Sequence, residues 1–528
     1  MASIAEEEPA ADAPGKTAIP RYAYYTLGVL LLANVFNYID RQIPSIIAEA
    51  IKHDLKLDDA QLGFLMGTAF AVFYAVVGIA MGRISDGVPR RKLMALGLTL
   101  WSGMTALGGV ASTFTTLSLA RIGVGIGEAT ATPCSVSMLT DSFPARNRAV
   151  VIGTWLTGTF IGTAVSLAVG GYIVQHWVTM CGSVPIAGAC GVANWQATLI
   201  AVGLPGLLLA ILVYNLREPP RAHAQPKKVG RFVLSEFAAA IPPFTMLTLY
   251  RMGGTAALLW NVVLAVALGA IAYVVAQLTG DTPQWSAIAL GAYAVVTWGQ
   301  NQKYRDPPLY RLTFGCPTFL LGVISAAFIA AIGGAMSAWA APYAIRTLGL
   351  SPSETGLSLG LLTTGAAVIG ALVGGTATDR WKRRDQRAPA FIGAIAVLGG
   401  LPSMIFTLAA TESTPFFVGM FIYALTTSIW GGAFAALAQD LVLPRMRGAA
   451  ASAFALVSIV VASSTGPYWA GKVSAVTGSL KTGILSMQLL LPIVLILLFF
   501  LARRLGAVSP EGRRARAEAA GEPALSAT

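Results

Sequence analysis

Ionisable side chains are scarce in this chain. Asp, Glu, Lys and Arg together make up 11% of 528 residues, against roughly 25% in ordinary soluble domains, and there are only 3 histidines and 4 cysteines. Each shortage removes a class of function. His53, His176 and His223 are expected in separate loops, so neither a histidine-based membrane hydrolase nor a histidine metal site has its residues at one depth. Motifs that cradle phosphate and ATP-binding folds are missing, and basic residues are scattered among short segments without an aromatic-basic domain, which argues against nucleic acid. The expectation is a protein that is not an enzyme and needs no cofactor. Cys134 and Cys316 read as small apolar fillers, whereas Cys181 and Cys190 share one loop and can form a disulfide there.

What the chain has in quantity is apolar length. Hydrophobic residues fill 55% of positions and mean hydropathy is +0.68, so the fold class is an all-α polytopic membrane protein. A helix needs about 20 apolar residues to cross the hydrocarbon, and such stretches recur about fourteen times between residues 22 and 503, bounded by charge, Pro or Gly clusters. Glu6, Glu7 and Glu8 precede the first run and no small-residue cleavage site follows it, so it is expected to stay as a span rather than leave as a signal peptide.

Lysine and arginine set the orientation, because short cytoplasmic loops retain them. With the N-terminus inside, 29 of the 36 fall in cytoplasmic segments, Lys52, Lys56, Arg346, Lys472 and Lys481 fall outside, and Arg41 and Arg121 fall within spans. The formal charge of +12 is then positive-inside bias and contact with anionic membrane lipid. A monomer in an inner or plasma membrane, with both termini cytoplasmic, is expected.

Internal repetition supplies the architecture. "LKLDDAQLG" (55–63) returns as "LGLSPSETG" (348–356), and "GRISDGVPRRK" (82–92) returns as "GTATDRWKRRD" (375–385), both at an offset of 293 residues. "DSFPARNR" (141–148) resembles "DLVLPRMR" (440–447), with an offset of 299. Two halves in one orientation follow, the plan of a rocking transporter. The chain divides into a cytoplasmic tail (1–21), a six-helix half (22–216), a cytoplasmic linker (217–311) with an extra helix pair (254–301), a second six-helix half (312–503) and a C-terminal tail (504–528). Both basic loops can share a side only if the insert crosses an even number of times, so 254–278 and 284–301 are expected as a hairpin, with a re-entrant or surface-lying pair as the alternative. Trp285, Tyr293 and Trp298 offer interface anchors for its second arm. Segment 232–250, interrupted by Glu236 and paired prolines, is expected to lie on the cytoplasmic face.

At "GRISDGVPRRK" the sequence resembles the loop signature of the major facilitator superfamily, G-x-x-x-D-[RK]-x-G-[RK]-[RK], although Gly87 stands where a basic residue is usual and Pro89 replaces the second Gly. In the second copy Asp379, Arg380 and Arg383 fit, while Lys382 takes the Gly position. "NYIDRQ" (37–42) with "RIGVGIGEA" (121–129) is similar, more narrowly, to the spinster group of lysolipid and sphingolipid transporters. The resemblance implies a transporter fold of two six-helix halves, here with an extra hairpin, and a lipid cargo.

Charges inside apolar runs point to the site. "VFNYIDRQIP" (35–44) puts Asp40 and Arg41 side by side, six or seven residues before the expected outer end of the first span near Ile47. Arg121 falls at the same depth in the fourth span, and Glu128 lies one heptad further along nearly the same face. An unpaired charge there costs about 2.5–3.5 kcal/mol on translocon scales, so the four are expected to line one wet cavity. Asp40 and Glu128 are expected to carry proton coupling. Arg41, Arg121, Glu128 and Asn37 are expected at the headgroup of an amphipathic cargo, with Met336, Trp339, Tyr423 and Trp430 along its tail. The structural alternative is that Asp40–Arg121 and Glu128–Arg41 pairs merely hold spans together, but the second half has no equivalent charges within its spans. A cytoplasmic gate is expected from Gly82, Asp86, Arg90, Arg91, Asp379 and Arg380, with Asp86 at the start of a helix near Gly448 and an arginine pairing across the face. These readings favour a proton-coupled lipid transporter. A drug/proton antiporter is the main competitor, and a receptor on a transporter fold is a third reading.

Overall fold

In the computed structural model, which describes residues 19–183, 188–220, 229–506, 510–519 and 521, the described residues are helical with no strand. The first half begins with α1 (Arg21–Leu55), which ends where Lys56 adopts a left-handed conformation. The helix runs eight residues beyond the expected exit at Ile47, because "AEAIKHDL" keeps helical pattern past the apolar run. Asp58 and Gln61 form a capping box that starts α2 (Asp59–Gly63), two donors being satisfied reciprocally. A π turn joins it to α3 (Ala69–Gly87). Next come α4 (Arg90–Gly108), α5 (Phe114–Glu128), α6 (Ala131–Ser142), α7 (Arg148–Met180) and α8 (Asn194–Tyr214).

The linker holds an amphipathic α9 (Val229–Ala240), then α10 (Thr245–Thr279), α11 (Thr282–Arg305) and the short α12 (Pro307–Leu312). The second half contains α13 (Pro317–Leu348), α14 (Pro352–Lys382), α15 (Ala388–Ala409), α16 (Ser413–Thr427), α17 (Trp430–Asp440), α18 (Arg447–Thr477), α19 (Leu480–Ser486) and α20 (Leu491–Leu505), before α21 (Pro510–Glu518). Ten helical rods among the described residues are long and apolar enough to cross a membrane. α1, α4, the α5–α6 rod and α11 are outside that set of ten, although they pack into the same bundle.

Several expectations need correction. The fourth rod of each half carries a two-residue turn, at Ala129–Thr130 and at Ser428–Ile429, and Ser413–Asp440 still counts as one span by length and hydropathy. The first arm of the hairpin begins near residue 254 as expected, because a non-helical Gly254 divides α10 into two helices, whereas the second arm runs past 301 to Arg305. Tyr293 is no interface anchor: it is buried between the arms and donates to Asn261 Oδ1 at 2.5 Å. His53 ends up in the last turn of α1 and His176 inside α7 rather than in loops, and His223 lies outside the described residues. Cys181 and Cys190 are bonded to each other, while Cys134 and Cys316 are buried thiols outside any disulfide.

The halves meet along two seams, α7 against α14 and α2–α3 against α18, with α1 touching α13 between them. The near end of the bundle is taken as the one where α1 begins and α20 finishes. At the far end both seams are closed by glycines: a side chain on Gly67 would strike the Ser463 carbonyl, and one on Gly356 the Leu167 carbonyl. Cross-half polar bonds reinforce this closure. Arg346 of α13 reaches Glu49 of α1 and Asp59 of α2, each at 2.7 Å, and Ser474 of α18 donates to Asp59 Oδ2 at 2.6 Å.

Candidate functional site

Asn37, Asp40 and Arg41 occupy one turn of α1, and Arg121 and Glu128 lie two turns apart on α5, so helix geometry alone brings the two sets onto facing surfaces. Arg41 Nε donates to Glu128 Oε2 at 2.7 Å. Its guanidinium also lies within 4.5 Å of the Tyr74 ring centroid and 5.0 Å of those of Tyr38 and Phe70, a set of cation–π contacts that compensates part of its desolvation. Arg121 does not pair with the Asp40 carboxylate. Its Nη1 donates to the Asp40 backbone carbonyl at 3.0 Å, and its guanidinium sits 5.5 Å from the Phe70 ring.

Burial here is nearly complete: relative exposures are 1% for Asp40, 0% for Glu128 and 5% for Arg121. Both Asp40 carboxylate oxygens, Glu128 Oε1 and Arg121 Nε are buried without a hydrogen-bond partner, and Asn37 lies against Glu128. Buried polar atoms of this kind are costly, which is the expected signature of groups that change partner or protonation. The break after Glu128 places its side chain at a helix end, where Thr130 caps back onto the Gly127 carbonyl.

Two cavities lie in the bundle, the first bordered by Tyr38 and Gln42, which flank Asp40 and Arg41 in sequence. One, of about 330 Å³, lies between the halves and is lined by Tyr38, Gln42 and Ser45 of α1, by Thr159 and Thr163 of α7, by Thr363 and Thr364 of α14, and by Tyr423 and Thr427 of α16. The other, of about 260 Å³, lies inside the second half and is mostly apolar, with Val397, Tyr423, Thr427, Trp430 and Gln488 in its wall. Tyr423 and Thr427 border both. The 299-residue offset that relates Asp141 to Asp440 carries Glu128 onto Thr427, so the buried carboxylate of the first half is matched by a cavity-lining hydroxyl in the second.

The expected cavity is therefore redistributed. Asp40, Arg41, Arg121 and Glu128 are packed within the first half rather than lining the inter-half cavity, and only Arg41, with 20% of its side chain exposed, retains appreciable exposure. Tyr423 and Trp430 do line cavities. Met336 and Trp339 do not: both are fully buried, and Trp339 Nε1 donates to the Pro467 carbonyl at 2.8 Å, so they are packing between α13 and α18. The sequence reading missed the rings around Arg41 and the threonines of the cavity wall, since aromatic and hydroxyl residues at helical spacing carry no positional signal of their own.

The expected gate is also rearranged. Arg90, 2% exposed, binds Asp141 at 2.5 Å and Glu218 at 2.9 Å, and Arg91 donates to the Tyr214 carbonyl. Every one of these partners belongs to the first half or its exit, so the arginines do not pair across the face. Burial opposes ionisation of Glu218, but the Arg91 backbone N–H and the Arg90 guanidinium outweigh it and hold the carboxyl below its ordinary value. In the second half Lys382 pairs with Asp440, a parallel clasp within that half. Gly82, Asp86, Asp379 and Arg380 are exposed at the near ends of α3 and α14, and Gly448 has open space beside it.

Against known proteins, the Major Facilitator Superfamily profile matches residues 30–467. An MFS-type efflux pump of Mycolicibacterium smegmatis is 29% identical over 89% of each chain. Protein spinster homolog 1 of Xenopus laevis is 22% identical over 84% of this chain and 72% of its own. In fold, the structure is similar to a bacterial homolog of the human lysosomal transporter Spinster in an inward-facing, unoccupied conformation, with a TM-score of 0.71 and 23% identity over 93% of this chain and 100% of that one.

Proposed function

Because the chain belongs to the Major Facilitator Superfamily, we propose that it is a secondary active transporter that moves an amphipathic lipid, a lysophospholipid or sphingoid phosphate, by alternating access. The halves 22–216 and 312–503 rock about the site, the near end faces the cytoplasm with both termini, and the protein works as a monomer in an inner or plasma membrane. The observation that carries the reading is the contrast across Tyr423 and Thr427: a charged cluster behind Tyr38 and Gln42 on one side, a mostly apolar chamber of about 260 Å³ on the other. A headgroup phosphate suits Arg41 and Arg121, since a guanidinium binds phosphate bidentately, and a tail suits the chamber beside Trp430.

Asp40 and Glu128 are the proton-coupling groups in this reading. A carboxylate in a water-poor site ionises only when a cation approaches, and Arg41 holds Glu128 while Asp40 has the more distant Arg121 contact. Displacement of Arg41 by a headgroup would thus change the protonation of Glu128.

A drug/proton antiporter is the second reading. It is favoured by the likeness to an efflux pump along 89% of the chain and by the three rings and a carboxylate around the Arg41 guanidinium, a receptor that an organic cation could take over. Uptake into proteoliposomes of a labelled lysophospholipid, a sphingoid phosphate and a cationic dye separates the two. Uptake of the dye alone would discard the lipid reading.

A further inference from the structure

The two seams between the halves begin alike and end differently. At the far end each is a tight helix crossing. Towards the near end α7 and α14 diverge: Thr163 and Thr364 face the inter-half cavity, and Gly153 and Gly375, further on, have no neighbouring atom within 4 Å. At the near end of the α3–α18 seam Gly78, Gly82 and Gly448 likewise have no neighbouring atom within 4 Å, but further in α11 fills the space between the two helices, its residues clustering with Val72 and Val76 of α3 and with Leu456 and Val460 of α18. A methyl group placed on Gly291 would lie 3.0 Å from Val460 of α18 and 3.4 Å from Val72 of α3, so α11 is wedged against both halves at once. Ala287, Gly291 and Ala294 form the stripe of small residues that permits this approach, and Val72 and Val76 are buried against Ala287 and Ala294.

Polar bonds hold the wedge at both ends. At the far end Gln284 donates to the Ser464 carbonyl at 2.9 Å, and Asp281 takes Lys472 at 2.5 Å and Tyr468 at 2.8 Å, all of them on α18. At the near end Asn301 donates to the Ala239 carbonyl at 2.8 Å, and Glu236 of α9 lies 3.7 Å from Arg305 and 3.8 Å from Arg83 of α3. The hairpin is fastened to α18 at one end; at the other it is tied to α9, whose Glu236 reaches Arg83, and Asp306 at the end of α11 pairs with Arg445 just before α18 at 2.9 Å.

We propose that the α10–α11 hairpin is a side wall that closes the α3–α18 seam to the bilayer, so that lateral exchange between bilayer and cavity runs only through the α7–α14 seam. The wall itself follows from packing. That an amphipathic lipid uses the remaining opening rests on the transport reading above.

Cysteine accessibility tests the wall without any cargo. In proteoliposomes of the full chain with Cys134 and Cys316 replaced by Ala, Val76→Cys and Thr364→Cys are treated with a maleimide carrying a hexadecyl chain. A face reached only by local opening reacts in proportion to its open fraction, so Thr364→Cys is expected to react at least about tenfold faster than Val76→Cys. Equal rates, or faster reaction at Val76→Cys, overturn the wall. Gly291→Leu, which pushes α11 out of the seam, is expected to raise the Val76→Cys rate towards that at Thr364→Cys, and no change with Gly291→Leu also counts against the wall. A lysophospholipid with a photoreactive alkyl chain then tests the route: crosslinks on α7 and α14 support it, and crosslinks on the buried faces of α3 and α18 overturn it. If the maleimide pattern holds and the lipid is neither crosslinked nor transported, the wall stands and the lipid reading fails.

Discussion

Arg41 is bonded through its side chain to the side chain of Glu128, at 2.7 Å, whereas Arg121 touches Asp40 only through a backbone carbonyl, at 3.0 Å. The two acid–base couples are thus unequal. Glu128 is paired in this state with the Arg41 guanidinium, while the Asp40 carboxylate has no hydrogen-bonded cation.

Asp40→Asn is expected to insert and fold, because the amide keeps the side chain's volume and the Arg121 contact goes to the backbone. It is expected to lose transport driven by a pH gradient in proteoliposomes. A variant that still responds to the gradient as the unaltered protein does would make Asp40 structural.

Arg121→Lys keeps the charge but loses the planar fork. Binding of a lysophospholipid or sphingoid phosphate in nanodiscs is expected to weaken by about tenfold, in line with the loss of one charge-assisted hydrogen bond of about 1.5 kcal/mol. Glu128→Gln is expected to impair coupling more than binding. Unaltered lipid affinity in Arg121→Lys, together with loss of cationic-dye binding in Glu128→Gln, would favour the antiporter.

Arg346→Ala removes the ion pairs that join α13 to α1 and α2 across the far end. Their loss of about 1–2 kcal/mol would shift the ratio of far-end-closed to far-end-open molecules by roughly 5–30-fold. Spin-label distances across that end are expected to lengthen, and an unchanged distribution refutes the role.

Arg90→Ala is expected to act differently, because both ion pairs of Arg90 stay with the first half and its exit. The carboxylates left behind, Asp141 and Glu218, are partly exposed, so the loss is that of charged hydrogen bonds, about 1.5–3 kcal/mol, and the melting temperature in detergent is expected to fall while near-end distances stay as they were. Glu218 adds a pH signature. Its carboxyl is held below the ordinary value of 4.5, so its stabilising contribution is complete above that value and is lost as pH falls through the lowered one. The stability difference between the unaltered protein and Glu218→Gln is expected to shrink over that acidic range.

The sequence by itself determined the solvent, the repeat and which charges lie inside the apolar runs. Long apolar runs require a bilayer, two copies of a basic loop at one offset require two like-oriented halves, and charges as expensive as Asp40, Arg41, Arg121 and Glu128 stand out in any apolar run. Tertiary structure decided who pairs with whom. Period 3.6 assigns a residue to a face but leaves helix rotation and tilt to side-chain packing, so Arg41–Glu128 and the three rings around the guanidinium were not legible. For the same reason Trp339 and Tyr423, alike in sequence, became packing and cavity wall respectively. The loop arginines had partners at similar sequence cost within and across the halves, and only folding selected Asp141 and Glu218 for Arg90. The far-end bonds of Arg346 join residues 287 and 297 positions apart, a separation over which no local pattern carries information. The wedge of α11 had the same origin: its small-residue stripe marks a close contact, and only the assembled bundle shows that the contact is with both halves.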